Sequence, residues 1–160
     1  MKKVKRKFSI VLVKPSHYDD DGYVIQWFRS AIPANSLACL YGLALECAEQ
    51  KIFGEETEIE IHAFDETNSH INPKKIISLI EQAEDGMVML VGVQSNQFPR
   101  ALDIAKPLRE RNIKTAIGGF HVSGTFSMLK ERDAHVEKSI GDGRVFVCGR
   151  SRRSARTSID

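Results

Sequence analysis

Residues 87–119 read MVMLVGVQSNQFPRALDIAKPLRERNIKTAIGG, and the order of patterns inside this stretch decides the fold. Met87 to Val93 is apolar nearly throughout, as in an internal parallel strand covered on both faces. Gln94, Ser95, Asn96 and Gln97 form a polar loop at its end. From Pro99 to Glu110, Leu102, Ala105 and Leu108 face inward at helical spacing, and Pro107 is expected to weaken or bend the last turn. Ile113 to Ile117 is a second apolar, β-branched strand that delivers Gly118 and Gly119. The glycine pair lets the backbone turn and approach a bound group with no side chain in between, the geometry of a ligand loop at the carboxyl edge of an α/β sheet. His121 and Ser123 bring an imidazole and a hydroxyl to the same point. An ordinary strand-to-helix turn with a surface histidine is the plain alternative.

Toward the N-terminus, Phe8 to Val13 (FSIVLV) reads as a central parallel strand, stopped by Pro15. Ser16 to Asn35 is a long connection with an acidic turn at Asp19 to Gly22 and several aromatics, and Val24 to Ser30 is a candidate short helix inside it. Ser36 is a candidate N-cap for an apolar helix running to about Ile52, which should pack on the sheet. Glu58 to Phe64 alternates apolar and polar residues, as an edge strand does. Asp65, Glu66 and Thr67 lie just past its end, and Asn72-Pro73 opens a helix from Pro73 to Ala83. Beyond the glycine pair, Thr125 is expected to cap a short helix, Phe126 to Arg132. Arg144 to Cys148 is a candidate fifth strand, and Gly149 to Asp160 has no apolar face to bury and reads as disordered. The whole describes a doubly wound, flavodoxin-like (Rossmann-like) α/β domain over residues 1–140, with about five parallel strands in the order 2-1-3-4-5 and a basic tail over 141–160.

Composition narrows the class. The formal net charge of +2 is misleading, because the five arginines beyond Gly141, set against Asp142 and Asp160, give the tail +3 and leave the rest near −1. A nearly neutral body argues against a nucleic-acid-binding domain, which carries a basic face in the fold itself. Apolar runs are strand-length, far short of the roughly 20 residues of a membrane span. The basic start, MKKVKRK, is followed by too short an apolar segment for a secretory signal, so a cytoplasmic location is expected. Cys39, Cys47 and Cys148 are odd in number and scattered, which fits neither a disulfide framework nor a zinc ribbon.

The loops at the carboxyl ends of the strands exclude several chemistries. A phosphoacceptor receiver needs an aspartate where this chain has Gln94 and Ser95. A flavin-phosphate loop or a GxGxxG fingerprint would follow the first strand, where KPSHYDDDG stands instead. His17 with Asp19 to Asp21 reads as a solvated turn in preference to a divalent-metal site. His62, His70 and His135 read as surface residues, and no histidine accompanies a nucleophile at a recognisable elbow.

This set of loops resembles one family: the N-terminal cobalamin-binding-type domain of B12-binding radical SAM proteins. The likeness rests on VLVKPS at the end of the first strand, a long loop into PANSLACLYGLALECA, VGVQSN followed by FPRALDIAKPLRERN, and IGGFH. It spans about Phe8 to Leu129. The resemblance implies a corrinoid held over the carboxyl edge of the sheet by Pro15, Ser16, Thr67, Ser95, Asn96, Gln97, Gly118, Gly119, His121 and Ser123. The D-x-H-x-x-G motif that supplies a cobalt-ligating histidine in base-off B12 proteins is missing, so cobalamin is expected to bind base-off with no histidine ligand from this domain and no metal ligand in the chain. Asp133-Ala134-His135 is only a fragment of that motif. The C-x3-C-x2-C signature that holds the iron-sulfur cluster and S-adenosylmethionine is also missing. Catalysis is therefore assigned to a radical SAM domain normally in the same chain, and neither a nucleic acid nor a membrane is an expected partner.

Residues CGRSRRSARTSID stand where relatives of this kind carry a GExE-type loop, and some codon choices for CGRSRR, read one nucleotide later, encode AGEAE. The expectation is a shifted reading frame that cuts short a longer enzyme. A stand-alone α/β interaction or small-ligand module that does not bind cobalamin is the alternative, and nucleic-acid binding through the arginine tail is a third reading.

Overall fold

The computed structural model describes residues 6–27, 34–128 and 145–148. Its elements follow in the order β1 (Arg6–Lys14), α1 (Asn35–Glu49), β2 (Thr57–Asp65), α2 (Pro73–Glu81), β3 (Asp85–Leu90), α3 (Phe98–Glu110), β4 (Lys114–Gly118), α4 (Phe120–Met128) and β5 (Val145–Cys148). All strand pairings within the sheet are parallel. The body of the sheet runs β2-β1-β3-β4, with β5 beside β4, which is the flavodoxin-like order expected from the sequence. The order reverses between β1 and β3, the place where open α/β sheets bind ligands.

The core follows from strand alternation. Val11, Val13, Val88, Leu90 and Ile117 point to one face, where they cluster with Ile76 and Ile80 of α2, Ala101, Ile104, Ala105 and Leu108 of α3, and Val122 of α4. Right-handed crossovers from β2 to β3, β3 to β4 and β4 to β5 put those three helices on that face, whereas the step from β1 to β2 runs the other way and places α1 opposite. Leu12, of opposite parity to Val11 and Val13, is also buried. The helix α1 is apolar over much of its circumference, yet only Ala44 is fully buried, and Leu43 keeps 57% of its surface exposed. It packs on β1 and β2 with one narrow stripe.

Local chemistry explains most boundaries. Asn72 caps α2 by accepting from the Lys74 amide at 3.0 Å, with Pro73 in the first turn. Pro107 sits inside α3 and does not end it: the helix continues to Glu110, although the proline offers no amide to the carbonyl four residues back.

Four expectations need correction. The N-cap of α1 is Ala34, without a side-chain cap, and Ser36 lies in the first turn. Val24 is not helical but pairs antiparallel with Tyr18, closing a hairpin whose turn is held by Asp19, which accepts from the amides of Asp21 and Tyr23. The strand β3 is shorter than the apolar run, ending at Leu90. The last helix begins at Phe120, so His121 and Ser123 belong to α4, and Thr125, far from capping it, bonds back to the His121 carbonyl at 2.9 Å. The expected helix end at Arg132 and the tail from Gly149 lie outside the described residues.

With Leu108 fully buried among sheet and helix residues, Leu108→Ala should lower unfolding free energy by about 2–5 kcal/mol, measured by urea denaturation at unchanged m-value.

Candidate functional site

The carboxyl edge divides into two parts that the sequence placed together. At the β1 and β2 end, the polar groups are engaged within the protein. Glu66, one residue past β2, has no exposed surface. Its carboxylate accepts from the Ser16 amide at 3.0 Å and from Arg100 of α3, whose Nη2 lies 2.7 Å from Oε1 and whose Nε lies 3.1 Å from both oxygens. Such a forked pair is among the strongest polar contacts available to a buried carboxylate.

The network extends outward. Arg100 Nη1 donates to the Tyr18 hydroxyl at 3.4 Å, its guanidinium stands 5.8 Å from the centre of the Tyr18 ring, and Tyr18 donates to Asp103. Burial works against the charge on Arg100, but the bonds to Glu66 and Tyr18 outweigh it and hold the guanidinium protonated. Burial, with the bond to Asp103, raises the Tyr18 phenol above its ordinary range, so it keeps the proton that it donates. The Ser16 hydroxyl bonds the Ile25 carbonyl across the hairpin, and the Trp27 amide donates to the Thr67 carbonyl at 2.8 Å. The loop after β1 is thereby fastened to β2 and α3.

This accounts for three of the expected site residues. Pro15 is buried, Ser16 is 2% exposed with both its amide and hydroxyl engaged, and the half-buried Thr67 accepts from Lys14 Nζ at 3.2 Å. They frame the crevice. Glu66, Arg100, Tyr18 and Asp103 were not among the residues singled out, since a pair 34 positions apart leaves no local trace in the sequence. The only signal was an acidic residue just past an edge strand.

The β3 and β4 end is different. Val93, in the loop after β3, donates to the Gly118 carbonyl at 3.0 Å and accepts from the His121 amide at 3.2 Å. Gly119 lies between those two bonds at φ +149°, and a Cβ there would come within 2.2 Å of the Val93 nitrogen and 2.4 Å of its oxygen. The close approach at this glycine is to the protein's own backbone, at Val93, which by itself requires the missing side chain. Gln97 is likewise turned inward, 8% exposed and accepting from the Gln94 amide at 3.0 Å. The Ser123 amide donates to Gly119 at 3.0 Å within the first turn of α4.

Ser95 and Asn96 remain exposed, and Gly118 and His121 are partly so. The His121 ring packs on Phe98, 4.3 Å between centres, with Nδ1 3.2 Å from Ser95 Oγ. Its Nε2 is buried and has no hydrogen-bond partner. A second glycine, Gly92, adopts φ +65° and brings the loop against Ser36, where a Cβ would lie 3.0 Å from that side chain, so the start of α1 reaches the same crevice. Phe120 stands 74% exposed at the rim. Among the described residues no group of three potential metal ligands occurs and no helix is long and apolar enough to cross a membrane.

Three substitutions test the frame. Gly119→Ala should destabilise the fold by about 1–3 kcal/mol or more through overpacking, read by thermal or urea unfolding. Removing one partner of the buried pair in Arg100→Met should cost about 3–5 kcal/mol, and Glu66→Gln in the same chain should restore part of that loss in a double-mutant cycle. Comparison of the chain with protein-family models, with curated proteins and with solved structures returns no match.

Proposed function

We propose that this domain is the cobalamin-binding module of a B12-dependent radical SAM enzyme, with the corrinoid contacting the β3 and β4 half of the sheet edge. The observation that carries the reading is the unpartnered Nε2 of His121, buried beside the exposed Ser95 and Asn96 at the carboxyl edge of a flavodoxin-like sheet. A buried ring nitrogen without a partner is costly; a turn of the partly exposed His121 ring would bring it to the edge, within reach of the amide groups of a corrinoid.

The fit of the residues is uneven. Ser95, Asn96, Gly118 and His121 suit the rim and tail of an amide-rich macrocycle. Pro15, Ser16, Thr67, Gln97 and Gly119 act as the frame that holds those contacts, since their polar groups or close approaches are directed into the protein. Ser123 stays a candidate from the first turn of α4. When bound, the cofactor supplies a cobalt centre suited to alkyl-group transfer. The residues of this chain would orient it and exclude water from its edge, with His121 as a hydrogen-bonding contact and not a cobalt ligand. The iron-sulfur cluster and S-adenosylmethionine would belong to a radical SAM domain whose cysteine signature this sequence does not contain.

The engagement of Ser16 and the exposed apolar flank of α1 favour a second reading, a small-ligand or protein-interaction module without cobalamin. Reconstitution with hydroxocobalamin distinguishes the two. The first reading expects a corrinoid spectrum that survives gel filtration, quenching of the single tryptophan, Trp27, and an affinity about 5- to 30-fold weaker in His121→Ala, as for the loss of one or two hydrogen bonds. A colourless protein with unchanged Trp27 emission would overturn the first and favour the second.

A further inference from the structure

Beyond the corrinoid reading, and independent of it, the geometry points to a second ligand site at the start of α2, one that takes a small organic carboxylate with an apolar body. A cavity of about 210 Å³ opens there between the end of β2 and the first turn of the helix. Its walls are Phe64, Ile71 and Ile76, and its polar groups include Ser69, His70 and Lys75. The volume falls below the roughly 300–1,000 Å³ of sites for drug-sized ligands, so the occupant is small.

Charge placement defines what it is. The first turn of α2 carries Lys74 and Lys75 and no acidic residue, the reverse of what the helix dipole favours at an N-terminus. Neither lysine is paired with a carboxylate among the described residues, and the acids nearby are committed elsewhere: Asp65 to Lys14 at 3.8 Å and Glu66 to Arg100. Lys75 Nζ instead lies 5.3 Å from the centre of the Phe64 ring, at the mouth of the cavity. The helix amides themselves are not the binding groups, because Asn72 accepts from the amides of Lys74 and Lys75 through its side chain and its carbonyl. Positive charge without a carboxylate partner, set above an apolar floor, selects an anion with a hydrophobic body over inorganic phosphate, which would leave the floor unused, and over a neutral hydrocarbon, which would leave the charge without an anion.

Benzoate and its neutral isostere benzamide are suitable probes, followed by amide chemical shifts of the full chain. Benzoate should give saturable shifts confined to residues 69–76, with at least about tenfold preference over benzamide, the scale expected of a charge-assisted bond. Lys75→Met should remove that preference and Lys75→Arg retain it; Lys75 is exposed, so neither change threatens folding. Equal responses to the two probes, a preference unchanged in Lys75→Met, or no saturable shift in this segment would each overturn the assignment.

Discussion

A carboxylate with no exposed surface requires a partner of opposite charge, and Glu66 obtains one from Arg100 across 34 residues of chain. The pair does more than neutralise itself. Through the Ser16 amide it fixes where the chain goes on leaving β1, and through Tyr18 it holds the hairpin against α3. Half of the carboxyl edge is thus a rigid support, and the groups open to a ligand gather on the other half. A buried ion pair of this kind adds little to net stability compared with well-packed apolar residues, but it specifies one arrangement of β1, β2 and α3 because any shift strands a charge.

The fold was legible because its strands are apolar in long runs. FSIVLV and MVMLVGV can be buried on both faces only in a parallel sheet with helices around it, and the alternation of EIEIHAF marks β2 as an edge, where the sheet order places it. Given the order of strands, the handedness of their crossovers decides which face each helix covers. The helix α4 was misplaced for an identifiable reason. FHVSG contains a β-branched residue and a glycine, poor helix formers, and what starts the helix is the Val93 carbonyl, a tertiary acceptor for the His121 amide. Local propensity carries no information about a bond supplied from another loop.

The site was legible as a list of loops and not as a set of contacts. Ser95 and His121 do meet at the edge, 3.2 Å apart, with Asn96 next in the same loop and Gly118 closing β4. Ser16 and Gln97 have the right chemistry at the right edge, but each serves the loops themselves. A short polar side chain after a parallel strand satisfies either a ligand or its own backbone, and only the path of the loop decides which. The cavity at α2 went unread because Phe64 and Ile76 look like ordinary core residues, and the two lysines of its first turn look like solvated surface.

The bonding of Val93 to both sides of Gly119 bears on how relatives of this chain should be compared. A position where even one methyl group would overlap a neighbouring main chain will resist substitution in every protein built on the same two loops, whatever those proteins bind. Invariance of that glycine across an alignment would therefore report architecture. Variation at Ser95, Asn96 and His121, which no such steric limit restrains, is what would follow the ligand.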